Sequence, residues 1–263
     1  MRSARRLRRH PPVHRSSNVA GAIVGQLEQS GSGSRHAVVT GASSGIGQAI
    51  VDRLLSDGWR VTGLCRSHIE TTRDALTIVP VDVTDFAALG PVCDELGAVD
   101  ALVHAAGFMR TAPLGQLSHE DGAAMEDGAA MWRLHVESAT FLADRLVPRM
   151  PAGGRIVLLG SRTANGAATR SQYAATKSAL VGLARSWAAE LAPRGITVNV
   201  VAPGATDTPF LRDPARAATP PRLPPIGRFI TPEEVAALTG FLLSADASAI
   251  TGQQIVMCGG ASL

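Results

Sequence analysis

Short apolar runs alternate along this chain with longer stretches whose apolar residues recur every three or four positions. The runs fall at residues 36–40, 60–64, 77–81, 101–103, 155–159, 196–201 and 254–257. Each is too short for a helix and rich in valine, leucine or isoleucine, which predicts strands buried on both faces. The periodic stretches between them predict helices up to about residue 57, over 85–97 and over 232–244, the last with Thr231 as its cap. Strand and helix in strict alternation predict an α/β fold with a parallel, doubly wound sheet. Such sheets bind ligands beyond the carboxyl ends of their strands.

Two stretches complicate the pattern. Residues 120–131 repeat Glu-Asp-Gly-Ala-Ala-Met in tandem. Six residues at about 100° each leave the second copy roughly 240° out of phase with the first. An apolar face cannot survive that shift, so the first copy is expected in a loop or separate turn, with the main helix running from about 128 to 150. After residue 204 comes a segment dense in proline and arginine, whose length and composition suit a lid near 205–228 over a cavity.

Composition adds limits. The chain has 263 residues, 45% of them hydrophobic, enough for one large domain. Cys65, Cys93 and Cys258 show no paired spacing, so neither a disulfide framework nor a metal site is expected, and a reducing, cytoplasmic setting fits. No apolar run reaches the roughly 18 residues of a membrane span.

The net charge of +3 is unevenly placed. Six arginines and no acid lie in residues 1–20, and removing those six from the 25 basic residues leaves 19 against 22 acidic ones. Residues 1–34 therefore look like an appendage, ending in a Gly/Ser run. An arm for nucleic acid or acidic lipid, a transit peptide and an interaction tail are open readings, and a disordered extension is the favoured one. The folded domain, 35–263, is expected to bind neither nucleic acid nor membrane.

The chemistry concentrates at 161–177, where a serine, a tyrosine and a lysine follow one another. Tyr173 is the chain's one tyrosine and Lys177 its one lysine, the other 24 basic residues being arginines. Where any cation would serve, this chain uses arginine, so a lysine four residues after the tyrosine points to a requirement for an ammonium. Residues i and i+4 share a helix face. A cation there favours the phenolate and draws the tyrosine below its usual pKa of ~10, as a group exchanging protons with a substrate oxygen needs.

Three further motifs lie in matching order. Thr40 and the turn 41–47 follow the first strand in the pattern T-G-x-x-x-G-x-G, with Gly41, Ser43, Ser44, Gly45, Ile46 and Gly47 placed to meet a phosphate at a helix N-terminus. The second strand ends at Arg66 with no acid nearby, which favours a 2′-phosphate, and so NADP(H) over NAD(H). The third and fourth strands end at Asp82-Val83 and at His104-Ala105-Ala106-Gly107.

With these motifs in order, residues 35–263 resemble the short-chain dehydrogenase/reductase family. The resemblance implies a Rossmann-type sheet of about seven strands with helices on both faces, assembled as a homodimer or homotetramer. It implies that Tyr173 is the catalytic acid/base, that Lys177 lowers its pKa and holds the nicotinamide ribose, and that Ser161 bonds the substrate oxygen. Asp82 and Val83 would meet the adenine, Ala106 and Gly107 would line the cofactor backbone, and Pro203, Gly204, Thr206 and Thr208 would receive the nicotinamide carboxamide.

Two departures stand out. The family's Asn-Asn-Ala-Gly is His104-Ala105-Ala106-Gly107 here, which keeps the backbone role of the last two residues. Where the family places an asparagine that anchors a relay water, this chain has His135. A histidine there is either a catalytic hydrogen-bonding partner that adds a titration near its reference pKa of ~6.5 or a filler.

The expected activity is hydride transfer interconverting an alcohol and a carbonyl compound, with a small-molecule substrate of undefined class. The alternatives are a catalytically weak nucleotide-binding sensor or scaffold, and a nucleic-acid or membrane binder acting through the arginine-rich arm. Neither alternative accounts for residues 161–177.

Overall fold

The structure is a computed structural model, and it describes residues 33–118, 122–213 and 220–263. The basic arm therefore lies outside the described residues, except for its last two positions. Seven parallel strands form one sheet in the order β3-β2-β1-β4-β5-β6-β7. They are β1 (His36–Thr40), β2 (Arg60–Cys65), β3 (Leu76–Pro80), β4 (Ala101–His104), β5 (Arg155–Leu159), β6 (Thr197–Pro203) and β7 (Gln254–Met257). The direction of winding reverses between β1 and β4. This places a crevice at their carboxyl ends.

The strands carry apolar residues on both faces, and successive side chains feed separate cores. Val38, Leu102, Ile156 and Leu158 join one cluster, with Leu89, Leu142, Leu180 and Ala184 from the helices beneath them. Ala37, Val39, Val103 and Val157 join the other, with Ile50, Leu54, Val235 and Leu242. The first cluster is covered by α2 (Phe86–Glu95), α4 (Ser138–Leu146) and α5 (Ser171–Leu191). The second is covered by α1 (Gly45–Ser56) and α6 (Pro232–Leu243). Local signals set the helix starts. Asp85 accepts the amides of Ala87 and Ala88 at α2, and Thr231 forms a reciprocal capping box with Glu234 at α6.

The repeat behaves differently from the expectation. Helix α3 (Ala123–Trp132) begins inside the first copy and takes in the whole second copy. Two features remove the conflict. Ala123 and Met125 are exposed, so the part of the first copy that enters the helix needs no apolar face. A π turn over Arg133–Glu137, in which the Ser138 amide reaches back five residues to the Arg133 carbonyl, then resets the helix phase before α4 packs on the core. The main helix also ends earlier than the expected 150, at Leu146, with a 3₁₀ turn over Val147–Arg149 after it, while the strand limits and the ends of α1, α2 and α6 shift by two residues or fewer. The segment expected to form a lid contains a 3₁₀ turn, Pro209–Arg212, and a bridge from Thr206 to Ile230, while residues 214–219 lie outside the described set.

Candidate active site

A cleft of about 1140 Å³ opens along the carboxyl ends of the strands. At one end lies the turn between β1 and α1. Gly41 has φ +68°, and a Cβ on it would come within 2.9 Å of the Ala106 backbone. A Cβ on Gly47 would lie 2.1 Å from the Gly41 carbonyl oxygen, so only glycine fits there. Ser44 caps α1 by position only, with no side-chain hydrogen bond. The first amides of α1 thus stay available to an anion. A nucleotide diphosphate fits this cradle, and Ser43, Ser44, Gly45 and Ile46 complete its wall.

Beside this turn, the ends of β2 and β3 form the next part of the cleft wall. Arg66 is exposed and borders the cleft, as do Asp82 and Val83. Burial pushes the Asp82 carboxyl up, but the Thr84 amide and hydroxyl, with the charges of Arg66 and Arg133, outweigh it and hold the group below its ordinary value.

Behind Gly107, two histidines organise the backbone. The Thr40 hydroxyl accepts the amides of Ala105 and Ala106, both at 3.0 Å, so its proton goes to His104 Nδ1, 3.1 Å away. His104 Nε2 then donates to the Leu134 carbonyl at 3.0 Å. His135 is fully buried, and its Nε2 accepts the Phe108 amide at 3.2 Å. Its Nδ1 therefore carries the proton and donates to Thr176 Oγ1 at 2.8 Å, whose hydroxyl donates to the Tyr173 carbonyl. Burial, then the positive charges of Lys177 and His104, push His135 well below its ordinary value. Of the readings left open for His135, this position favours a hydrogen-bonding partner without an added titration, since both ring nitrogens are engaged by protein groups.

The end of β5 delivers Ser161, whose Oγ accepts the Thr163 amide at 3.1 Å. Helix α5 brings Tyr173 and Lys177 to the same end of the cleft. Tyr173 packs with Met109 and Met131, flanked by Phe108 and Phe210. The Lys177 ammonium stands 5.8 Å from the Tyr173 ring centroid and donates to the Leu159 carbonyl at 2.8 Å. Burial draws Lys177 down to about 7.

Across the cleft, Pro203, Gly204, Thr206 and Thr208 run from β6 toward the glycine turn. A Cβ on Gly45 would sit 3.3 Å from the Thr208 methyl, which shows how closely the two segments approach. The structure thus brings all the sequence-derived candidates to one cleft, except His135, which lies behind its wall.

Phe108, which lines the cleft with the expected lid residue Phe210, and the guanidinium groups of Arg162 and Arg170, were missed by sequence reasoning. A signal existed for the arginines, which flank the serine–tyrosine segment itself. Among the described residues, no helix is long and apolar enough to cross a membrane, and no group of His, Cys, Asp and Glu could hold a metal.

Residues 41–262 match a family model described as enoyl-(acyl carrier protein) reductase. A 3-oxoacyl-[acyl-carrier-protein] reductase, FabG, of Salmonella typhimurium is 36% identical over 244 residues, covering 85% of this chain and 96% of the relative. The chain belongs to the short-chain dehydrogenase/reductase family.

Solved structures agree. A short-chain dehydrogenase from Burkholderia cenocepacia, in complex with NADP, superposes with a TM-score of 0.74 at 31% identity, over 87% of this chain and 98% of that one. BdcA, in complex with NADPH, gives 0.72 at 32% identity, over 86% and 95%. As a short-chain dehydrogenase/reductase, the protein is an NAD(P)-dependent oxidoreductase with a Rossmann-type sheet.

Proposed function

We propose that the protein interconverts an alcohol and a carbonyl compound with NADP(H) as its preferred cofactor. Tyr173 is the general acid/base, Lys177 the cation that supports it, and Ser161 the group that polarises the substrate oxygen. One observation carries this reading. The buried Tyr173 and Lys177 sit on α5 in the cleft that also receives Ser161 and the glycine turn. The 2′-phosphate preference rests on Arg66 at the cleft edge, where no carboxylate takes its place. An NADPH-bound and an NADP-bound neighbour support the same preference.

The nicotinamide supplies or accepts the hydride, so the chain's work is position and proton transfer. In reduction, the Ser161 and Tyr173 hydroxyls bond the carbonyl oxygen and draw negative charge toward it. Tyr173 gives its proton to that oxygen as the alcohol forms, and Lys177 stabilises the phenolate left behind. Oxidation reverses each transfer. The wall of Phe108, Met109 and Phe210 keeps bulk water from the reacting oxygen, so these bonds act in a weakly screening medium. His135 fixes the Phe108 amide and Thr176, and so positions the helix turn that carries Tyr173 and Lys177.

The proposal includes a homo-oligomeric, cytoplasmic protein. Met125, Trp132, Phe241 and Val256 give it exposed apolar surface for a second copy. Light scattering distinguishes a monomer from a dimer or tetramer.

Titration with NADPH and NADH, followed by quenching of tryptophan fluorescence, tests the cofactor reading. A screen of carbonyl compounds with the bound cofactor tests the chemistry. Tight NADPH binding and turnover that vanishes in Tyr173→Phe support the reading. Equal turnover in that variant, or failure to bind either cofactor, overturns it and favours a scaffold.

A further inference from the structure

The apolar wall at the catalytic end is assembled from two stretches far apart in the chain. Phe108 and Met109 follow β4, and Phe210 and Leu211 lie in the 3₁₀ turn Pro209–Arg212 that follows β6. Backbone bonds hold this turn at its base. The Asp207 amide donates to the Ile230 carbonyl at 2.8 Å, and the Leu211 amide to the Thr208 carbonyl at 2.9 Å. Phe210 packs on the cluster of Met109, Met131 and Tyr173. Apolar contact has no direction, so it does not by itself fix how far the turn reaches toward the other wall.

A charged pair does. Arg110 Nη1 donates to Asp213 Oδ2 at 3.2 Å and joins positions 103 residues apart. Its side chains are 38% and 29% exposed. An ion pair between two mobile surface side chains contributes little, because both must be ordered to form it. Arg110 is already ordered. The same nitrogen donates to the Met109 carbonyl at 3.0 Å, and the guanidinium stands 5.2 Å from the Phe108 ring centroid. Its amide donates to Met131 Sδ at 3.4 Å. Arg110 thus belongs to the Phe108–Met109 wall and reaches from it to the turn. The pair of Arg212 with Asp207 shows the contrast. It is more exposed, and it links the turn only to its own base.

We propose that the Arg110–Asp213 pair is a clasp across the substrate end of the cleft. Arg110 is a positioning residue that holds the turn Pro209–Arg212 against Phe108 and Met109, so the wall stands assembled before substrate arrives. The proposal rests on the carbonyl reading above and adds what sets substrate affinity in it. A site assembled in only a fraction of molecules binds more weakly by that fraction, while the assembled complex reacts as before. Loss of the clasp therefore falls on KM and spares kcat.

The test uses Arg110→Gln, Asp213→Asn, their double variant and the conservative Asp213→Glu, with saturating NADPH and ethyl acetoacetate, cyclohexanone and benzaldehyde as probes. Each single variant should raise KM at least fivefold, with kcat and NADPH affinity within twofold of the wild type. The double variant should be no worse than the weaker single one, because one pair is lost only once. Asp213→Glu should recover most of the affinity. Hydrogen exchange of the NADPH-bound protein gives a readout that needs no turnover. Amides in residues 205–213 should exchange at least fivefold faster in both single variants, with those in residues 41–47 unchanged.

Equal exchange over residues 205–213 in wild type and variants overturns the clasp. So does Tyr173-dependent turnover with unchanged KM, a loss confined to kcat, or KM effects that multiply in the double variant. Absence of Tyr173-dependent turnover of any carbonyl sinks the carbonyl reading instead, and the exchange rates then decide the clasp by themselves.

Discussion

His104 donates through Nε2 to the carbonyl of Leu134, 3.0 Å away, across the gap between β4 and the π turn. That carbonyl lacks its ordinary donor, because the Ser138 amide is committed to Arg133. A buried carbonyl with no donor would cost about 1–3 kcal/mol, and the histidine removes that cost while fixing its own tautomer. The same ring receives the Thr40 hydroxyl, which gathers the Ala105 and Ala106 amides. The end of β4 and the helix turn carrying His135 are thus tied together.

This arrangement predicts acid sensitivity. Burial, then the charge of Lys177, draws His104 down to about 4. The unfolded chain therefore binds the proton first as the pH falls. The stability is full above about pH 6.5, and on the order of 3 kcal/mol is lost by pH 4. Urea denaturation at pH 7.5 and 4.5 should show a smaller loss in His104→Asn than in the wild type. An equal loss in both would assign the effect to other groups.

Lys177 makes a similar prediction in another window. Its value of about 7 in the fold lies below the ordinary lysine range. Between about pH 10 and pH 7 the unfolded chain holds a proton that the folded chain does not, so stability should fall as the pH is lowered through that range and then level off. Lys177→Met should lack this slope. Matching slopes in denaturation curves at pH 7, 8 and 9 would show that the ammonium is not destabilised by burial.

Tyr173→Phe should lower kcat by about 10²–10⁴-fold, the usual contribution of a positioned acid/base group, while NADPH binding persists. Pre-steady-state kinetics of hydride transfer, with fluorescence titration of the cofactor, separates the two effects.

Arg66→Ala should weaken NADPH binding about tenfold, the loss of one charge-assisted hydrogen bond of about 1–2 kcal/mol at an exposed site, and should leave NADH within about twofold. Equal weakening of both cofactors would remove Arg66 from the phosphate role.

Gly47→Ala places a Cβ 2.1 Å from a backbone oxygen that cannot swing aside. Overpacking of this kind costs about 1–3 kcal/mol or more, and the cofactor cradle should be lost with it. Gly182, exposed on α5, has nothing within 4 Å of an added Cβ. Gly182→Ala should raise stability by up to about 1 kcal/mol through helix propensity. Thermal melts of the two variants should move in opposite directions.

The strands were legible in the sequence because a parallel sheet covered on both faces needs continuous apolar runs, and β1, β5 and β7 begin and end where those runs do. The glycine turn between β1 and α1 was legible because close backbone approach demands glycine at Gly41 and Gly47. Tyr173 and Lys177 stood out because helical spacing is itself a spatial statement.

What the sequence could not decide involves groups that meet only in space. Periodicity argued against a helix through both copies of the repeat, yet α3 runs through the second and into the first. Its phase is corrected by a π turn whose orphaned carbonyl is satisfied from β4, more than 25 residues away in the chain. The fate of His135 was also hidden. Whether its nitrogens meet water or protein depends on the Phe108 amide and Thr176, which arrive from two other segments and use both ring nitrogens. Local propensity and spacing are written residue by residue, so strands, caps and the tyrosine–lysine pair follow from sequence. Hydrogen-bond satisfaction and burial are properties of the packed whole, so the tautomers, the π turn and the facing of Arg162 toward the cavity were decided by the tertiary structure.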